Sequence, residues 1–315
     1  ILPAQSNGTT VSYYVFSTTV LNPVADYDLL TIHYDNNGGA NYSYTTKYGT
    51  AQAGNWNAAA TWNAGVVPPD GSDVIIEHAV TVTNAVSSPA VCNDLIITVG
   101  SLTVGVGDGL TVNGNLTNNS FATDLTVSSD ATGNGSLIVS GTVTGDATVQ
   151  QYVSGWTSAS DAWHLISAPV VNFTISGSDF VPTLGDDDLF KYDETAATDS
   201  WLNYNGGTFG DTQFEIGKGY LASYKVSATK TFTGVINAGT VTKGSLSYTP
   251  GSPNEGWNLL GNPYTSAIDW DLITKSSNVD GAVYVLQAST GSYISWNGTT
   301  GSLTDGIIPA LNGYF

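Results

Sequence analysis

The chain has 315 residues, 36 of them glycine, with 26 acidic side chains against 7 basic ones and a net charge of −19. All basic residues are lysines and none lies between Lys47 and Lys191. That excludes nucleic-acid binding, which needs a basic footprint to neutralise phosphates, and bidentate recognition of anions by arginine.

Cys92 is the only cysteine, so no intrachain disulfide is available, and its setting in Ala-Val-Cys-Asn-Asp-Leu predicts a buried, inert thiol. No apolar run approaches the roughly 18 residues of a membrane-spanning helix. The glycines, together with abundant Thr, Ser and Asn, 8 Trp and 17 Tyr, predict an all-β protein rich in turns. The chain opens on Ile1 and ends on Phe315 without a recognisable leader, which reads as an internal piece of a longer precursor.

Residues 1–50 hold strand-like runs at 10–16, 29–34 and 41–46, the last after the turn cluster Asp35-Asn-Asn-Gly-Gly39. These are too few for an immunoglobulin-like sandwich, which uses about seven strands.

Residues 51–153 are predicted to form a short parallel β-helix. Strand candidates fall at 74–83, 95–98, 101–104, 109–117, 124–128, 136–143 and 147–153, with Leu, Ile and Val pairs separated by Gly, Asn and Asp. Three strands per turn give coils of very roughly 25 residues, apolar inside and with small polar corners. Trp56 and Trp62 would cap the first coil.

Residues 154–315 contain a duplication. Trp163-His-Leu-Ile-Ser-Ala-Pro169 matches Trp257-Asn-Leu-Leu-Gly-Asn-Pro263, and Gly219-Tyr220 matches Gly313-Tyr314, both at a spacing of 94. Leu189-Phe190 answers Val283-Tyr284 at the same spacing, and Tyr204-Asn-Gly206 answers Trp296-Asn-Gly298 after a small indel. The reading is two β-sandwich repeats, 154–250 and a C-terminally truncated 251–315, or one sandwich built from two halves.

Leu2-Pro-Ala-Gln5, Gly8-Thr-Thr-Val-Ser-Tyr-Tyr-Val-Phe16 and Asn41-Tyr-Ser-Tyr-Thr45 resemble the last strands of an Ig/fibronectin-type module. The opening of the second unit, G-x-W-x-x-x-x-x-W-x-x-G…P-P-x-x-x-D-x-V-x-I, resembles small β-helical domains of Bacteroidota proteins exported by the type IX secretion system. The duplicated W-x-L-[LI]-[GS]-x-P…G-[YF] segments resemble the region that precedes the sorting domain in the same class. The resemblance implies secretion, an extracellular or outer-membrane surface location, and contact with the export machinery through a sorting domain outside this sequence.

The candidate sites are few. Asp186-Asp-Asp188 offers hard oxygen ligands in a loop and makes Ca²⁺ the one cofactor suggested, with Asp26/Asp28 and Asp269/Asp271 as weaker pairs. Trp201, Tyr204, Tyr293 and Trp296 lie near Asn-Gly turns of the duplicated unit and are candidate stacking platforms for a polysaccharide; the competing reading is sandwich packing. His33, His78 and His164 fall in three different units, and no Ser-His-Asp or G-x-S-x-G arrangement occurs. Catalytic residues: none are assigned. The expected function is therefore a non-catalytic segment of a secreted cell-surface protein, an adhesin or structural stalk, with another surface protein as a further partner. The alternatives are a carbohydrate-binding appendage of a polysaccharide-degrading enzyme and, less favoured, lyase activity on the β-helix.

Overall fold

A computed structural model describes residue 5 and residues 9–18, 32–158, 161–183 and 185–315. Over these residues the protein is all-β, made of short strands and single 3₁₀ turns. Near the N-terminus two antiparallel pairs form, Thr10–Tyr13 with Tyr42–Thr45 and Val15–Thr18 with Ile32–Asp35. Residues 29–31 of the second expected strand, and the pair Asp26/Asp28, lie outside the described residues.

The centre is a parallel β-solenoid of about five turns. Its first face stacks Tyr48–Gly49, Val74–Ile76, Leu95–Ile97, Leu116–Asn118 and Val143–Thr144. Its second stacks Gly54–Asn55, Ala79–Val82, Ser101–Val104, Leu125–Val127 and Ala147–Val153. A third, shorter face holds Ala90–Cys92, Gly109–Val112 and Ser136–Val139.

Successive register partners on the first face, Tyr48, Val74, Leu95, Leu116 and Val143, are 26, 21, 21 and 27 residues apart. The two longer coils carry extra pieces. One holds the 3₁₀ turn Ala59–Thr61; the other holds the 3₁₀ turn Ala122–Asp124 and a small hairpin, Ser129–Asp130 with Gly133–Asn134.

The solenoid strands alternate inward and outward, so a three-residue strand sends two side chains to the interior. Leu102 sits between Val80 and Leu125 in neighbouring coils, and all three are 2% exposed or less. Cys92 is fully buried on the third face, and burial, helped by Asp73 and Asp94, pushes its thiol up to about 12. Trp56 and Trp62 close the first coil, edge to face at 5.0 Å, and the Trp62 indole donates to the Trp56 carbonyl at 2.7 Å.

One corner explains acids that the sequence places only as turn formers. Asp73, Asp94 and Asn115 stand one above another at the 21-residue period. Asp73 accepts from the Asn93 amide at 2.7 Å, Asp94 from the Asn115 backbone at 2.8 Å, and Asn115 from the Thr142 backbone at 2.9 Å. Each side chain stitches its coil to the next. Asn118 does the same from inside, donating to the carbonyls of Phe121 and Asp146 at 2.9 and 2.7 Å.

The solenoid joins the first repeat through a shared sheet. Its last strand, Ala147–Val153, pairs antiparallel with Ala228–Gly234 of the first repeat over seven residues. One buried apolar core consequently runs from Trp56 through Phe232 to Leu311.

Both repeats build the same sheet. In the first, His164–Ile166 pairs with Tyr220–Ser223, which pairs with Asp188–Tyr192, which pairs with Trp201–Asn203. In the second, Leu260–Gly261 pairs with Gly313–Tyr314, Phe315 exchanges backbone hydrogen bonds with Tyr284, and Val283–Gln287 pairs with Ser292–Trp296. Registers agree residue by residue: Tyr192 opposite Trp201 corresponds to Leu286 opposite Tyr293, and Ile166 opposite Tyr220 to Leu260 opposite Tyr314.

The repeats face each other about a pseudo-twofold axis. Bridges Ile166–Asn312 and Lys218–Leu260 are the same contact with the repeats exchanged. So are the hydrogen bonds from Ser167 N to Leu311 O at 2.8 Å and from Gly261 N to Gly217 O at 3.0 Å. Such exchange is the mark of an isologous interface, here formed within one chain. The two repeats are docked against each other through these reciprocal contacts.

Candidate binding cleft

The axis between the repeats opens onto an aromatic cleft of about 300 Å³, lined by Tyr192, Trp201, Asn254, Trp257, Tyr284, Tyr293 and Phe315. Phe315 occupies its centre, with ring centroids of Tyr192, Trp257, Trp201 and Tyr293 at 5.0, 6.0, 6.1 and 6.1 Å. Trp201 stands edge-on to Tyr192 at 4.9 Å, and Trp257 is 5.3 Å from Tyr284. Strand pairing sets this up: Tyr192 and Trp201 are direct cross-strand partners, and Phe315 is held by its backbone beside Tyr284.

Two of the four proposed stacking residues, Trp201 and Tyr293, meet here. They occupy equivalent positions in the two hairpins, so the cleft straddles the pseudo-twofold axis. The other two go elsewhere. Tyr204 packs edge-on to Phe209 at 5.4 Å against the main core. Trp296 packs against the second core with Val283 and Leu303, and its indole donates to both Asp271 oxygens at 3.1 and 3.0 Å.

Tyr192, Trp257, Tyr284, Phe315 and Asn254 were not singled out from the sequence. Trp257 and Tyr284 had a usable signal, since each is a repeat anchor or match whose partner, Trp163 or Phe190, forms the same contact at 6.0 Å in the first repeat.

The polar groups of the cleft are neutral. Burial raises the Tyr192 phenol above its ordinary value, and the Tyr293 phenol rises through burial and its neighbour Tyr192. Asn254 donates its amide to Ser200 at 2.9 Å, while its Oδ1 and the Tyr284 and Tyr293 hydroxyls take no protein partner among the described residues. The carboxylates nearest in sequence are engaged. Burial disfavours the charged form of Glu194, yet hydrogen bonds from Gly256 N at 2.9 Å and from Thr249 N and Oγ1 at 2.7 and 3.0 Å outweigh it and hold the carboxyl below its usual range. This pins the segment that carries Asn254 and Trp257. Glu255 accepts from Gly251 N at 2.9 Å and from the Tyr248 hydroxyl.

The aspartate triplet is splayed. Asp186 pairs with Lys225 Nζ at 2.9 Å, Asp187 is buried and accepts from Lys225 N at 2.9 Å, and Asp188 accepts from Asn203 at 2.7 Å. Among the described residues no group of three or more His, Cys, Asp or Glu side chains is placed to hold a metal ion. Asp269 accepts from the Asp271 backbone at 2.9 Å as a local cap.

His78 bonds Thr50 at 3.0 Å, and half-buried His164, its pKa lowered by desolvation, bonds Ser154. The His33 side chain lies outside the described residues. Three of the seven lysines join one network: Asp211 takes Lys191 at 3.0 Å, Lys218 at 2.6 Å and the Tyr220 hydroxyl at 2.9 Å, while Glu215 takes Lys218 and Lys243.

A family model described as a domain of unknown function (DUF8693) matches residues 46–298, which spans the solenoid and most of both repeats. No curated protein and no solved structure matches the chain.

Proposed function

The chain belongs to the DUF8693 family, whose function is unknown, and we propose that it is a stiff, non-catalytic segment of a larger secreted, cell-surface protein, an adhesin or structural stalk. The observation that carries this is the junction: among the described residues a seven-residue ladder and a shared buried core join the solenoid to the first repeat. Inter-unit motion is the ordinary expectation only where the interface is small and polar. The ionisable side chains support the same reading, since His78, His164, Glu194, Asp211 and Cys92 are hydrogen-bonded, ion-paired or buried within the frame. Among the described residues no helix is long and apolar enough to cross a membrane. Export by the type IX pathway and an origin in Bacteroidota rest on the motif resemblance.

Protease shaving of intact source cells, followed by immunodetection of this segment, tests the location. Loss of the segment from unbroken cells is expected, and a pool protected until lysis overturns it. Limited proteolysis of the purified chain tests stiffness: no cut is expected between Ala147 and Gly234, and early cleavage there into separately folded pieces refutes the stalk.

The aromatic cleft favours a second reading, a carbohydrate-binding appendage of an extracellular polysaccharide-degrading enzyme. Partly exposed rings beside neutral hydrogen-bonding groups are its support.

A further inference from the structure

We propose that the cleft on the pseudo-twofold axis is a subsite for an uncharged sugar, which lies against its exposed aromatic rings and is hydrogen-bonded by Asn254. This rests on the carbohydrate-binding reading and gives it a site and a ligand class. Trp257 is 46% and Tyr293 48% exposed, and both line the same cleft. Exposed apolar surface grouped around a concavity marks a binding site more often than scattered single residues do. The volume of about 300 Å³ lies at the small end of the range for small-molecule sites.

The chemistry of the lining selects the ligand. Ring faces suit the C–H face of a pyranose, and the amide oxygen of Asn254 with the hydroxyls of Tyr284 and Tyr293 suits its equatorial hydroxyl groups. These three groups have no protein partner among the described residues, so a ligand would not have to displace an internal bond. A uronate or sulfated sugar is disfavoured. No lysine lines the cleft, Glu194 and Glu255 flank the segment that carries Asn254, and the chain bears a net charge of −19. A cation held by the rings alone would leave those hydroxyl and amide groups without a role, which decides for the sugar over an ammonium ligand.

The pseudo-symmetry adds a geometric point. Trp201 and Tyr293 exchange under the repeat, so each half contributes one of the rings that surround Phe315.

The test is a titration of the 1–315 chain, followed by tryptophan fluorescence and calorimetry. The probes are neutral cello-, xylo- and manno-oligosaccharides, oligogalacturonate and choline chloride. Saturable binding of at least one neutral oligosaccharide is expected, weakened about tenfold or more by Tyr293→Ala and by Trp201→Ala. The conservative Tyr293→Phe keeps the stacking face and loses only a few-fold. Trp296→Phe, outside the cleft, leaves binding unchanged. Tyr293 is half exposed, so its alanine variant stays folded, and far-UV circular dichroism verifies this for every variant. Cleft-dependent binding of oligogalacturonate with none of the neutral sugars overturns the uncharged-ligand claim while leaving the appendage reading intact. Binding of choline alone, no binding at all, or neutral-sugar binding indifferent to both alanine variants overturns the subsite.

Discussion

Gly261 lies at the interface between the two repeats. A Cβ added there would sit 2.2 Å from Ser167 Oγ, 2.5 Å from Ser167 Cβ and 2.6 Å from the Lys218 carbonyl oxygen. Ser167 and Gly261 are equivalent repeat positions, so the interface accepts a side chain from one half and none from the other. Gly261→Ala is expected to cost about 3 kcal/mol, the upper part of the usual overpacking range, because one of its three clashes is with backbone that cannot rotate away. Ser167→Gly alone should be close to neutral. It removes a buried hydroxyl that has no hydrogen-bond partner among the described residues, and this offsets the roughly 0.5–1 kcal/mol of added chain entropy. In the Ser167→Gly background two of the three clashes vanish, so Gly261→Ala should then cost only about half as much, a coupling of ~1.5 kcal/mol. Urea unfolding of the four proteins, with midpoints compared at constant slope, measures the cycle. A Gly261→Ala cost below about 0.5 kcal/mol, or one that the Ser167→Gly change leaves untouched, would refute the docking of the two halves described here.

Three further predictions concern the frame. Leu102→Ala removes a fully buried side chain between Val80 and Leu125 in the middle of the stack and should destabilise by about 3–4 kcal/mol, against less than about 0.5 for the outward-facing Thr103→Ala; equal shifts in denaturation midpoint would contradict the assigned facing. Cys92, with its thiol pushed up to about 12 by burial and the nearby acids, should resist a disulfide reagent in native buffer and react at once in concentrated urea, as a colorimetric thiol assay would show. Glu194 has a folded-state pKa below its unfolded value, so the stability it contributes is present above the ordinary glutamate range and is lost as pH falls through the folded value. Thermal melts of the wild type should therefore drop more steeply in acid than those of Glu194→Gln, and parallel profiles would sink that assignment.

Much of the architecture was legible because a solenoid repeats its physics every coil. The strand candidates at 101–104, 109–117 and 124–128 predicted inward Leu and Val, and the structure buries them, with 109–117 divided between Gly109–Val112 on the third face and Leu116–Asn118 on the first. Trp56 and Trp62 were legible as a cap because an open apolar end has to be covered, and two large rings beside the first coil are the means. Ala90–Cys92 escaped notice as a strand because three residues between Pro89 and Asn93-Asp94 show too little alternation to read; its partner Gly109–Val112 determines it. The polar corner escaped for a different reason. Asp73, Asp94 and Asn115 look like turn residues taken singly, and their role depends on a vertical neighbour 21 residues away that only the coil length reveals.

The cleft shows where local reasoning stops. Trp201, Tyr204, Tyr293 and Trp296 were indistinguishable as aromatic residues near Asn-Gly turns, yet strand parity separates them. Trp201 is one of two residues directly opposite Tyr192 and Leu286 in equivalent hairpins, Tyr293 is the other, and both point toward the axis shared by the repeats. Trp296, three positions further along its strand, is turned by that odd step to the opposite face and into the second core, where Asp271 satisfies its indole. Tyr204 follows Asn203, the last residue of its strand, and falls in a 3₁₀ turn against Phe209. Combining parity with the repeat spacing would have retained Trp201 and Tyr293 and added Tyr192, which directly faces Trp201. It would not have supplied Phe315 as the centre of the cleft, because Phe315 corresponds to Leu221 and its place among five other rings follows from how the two halves dock. Docking is also what brings Trp257 to the same opening, so the site belongs to the pair of repeats and neither repeat could form it alone.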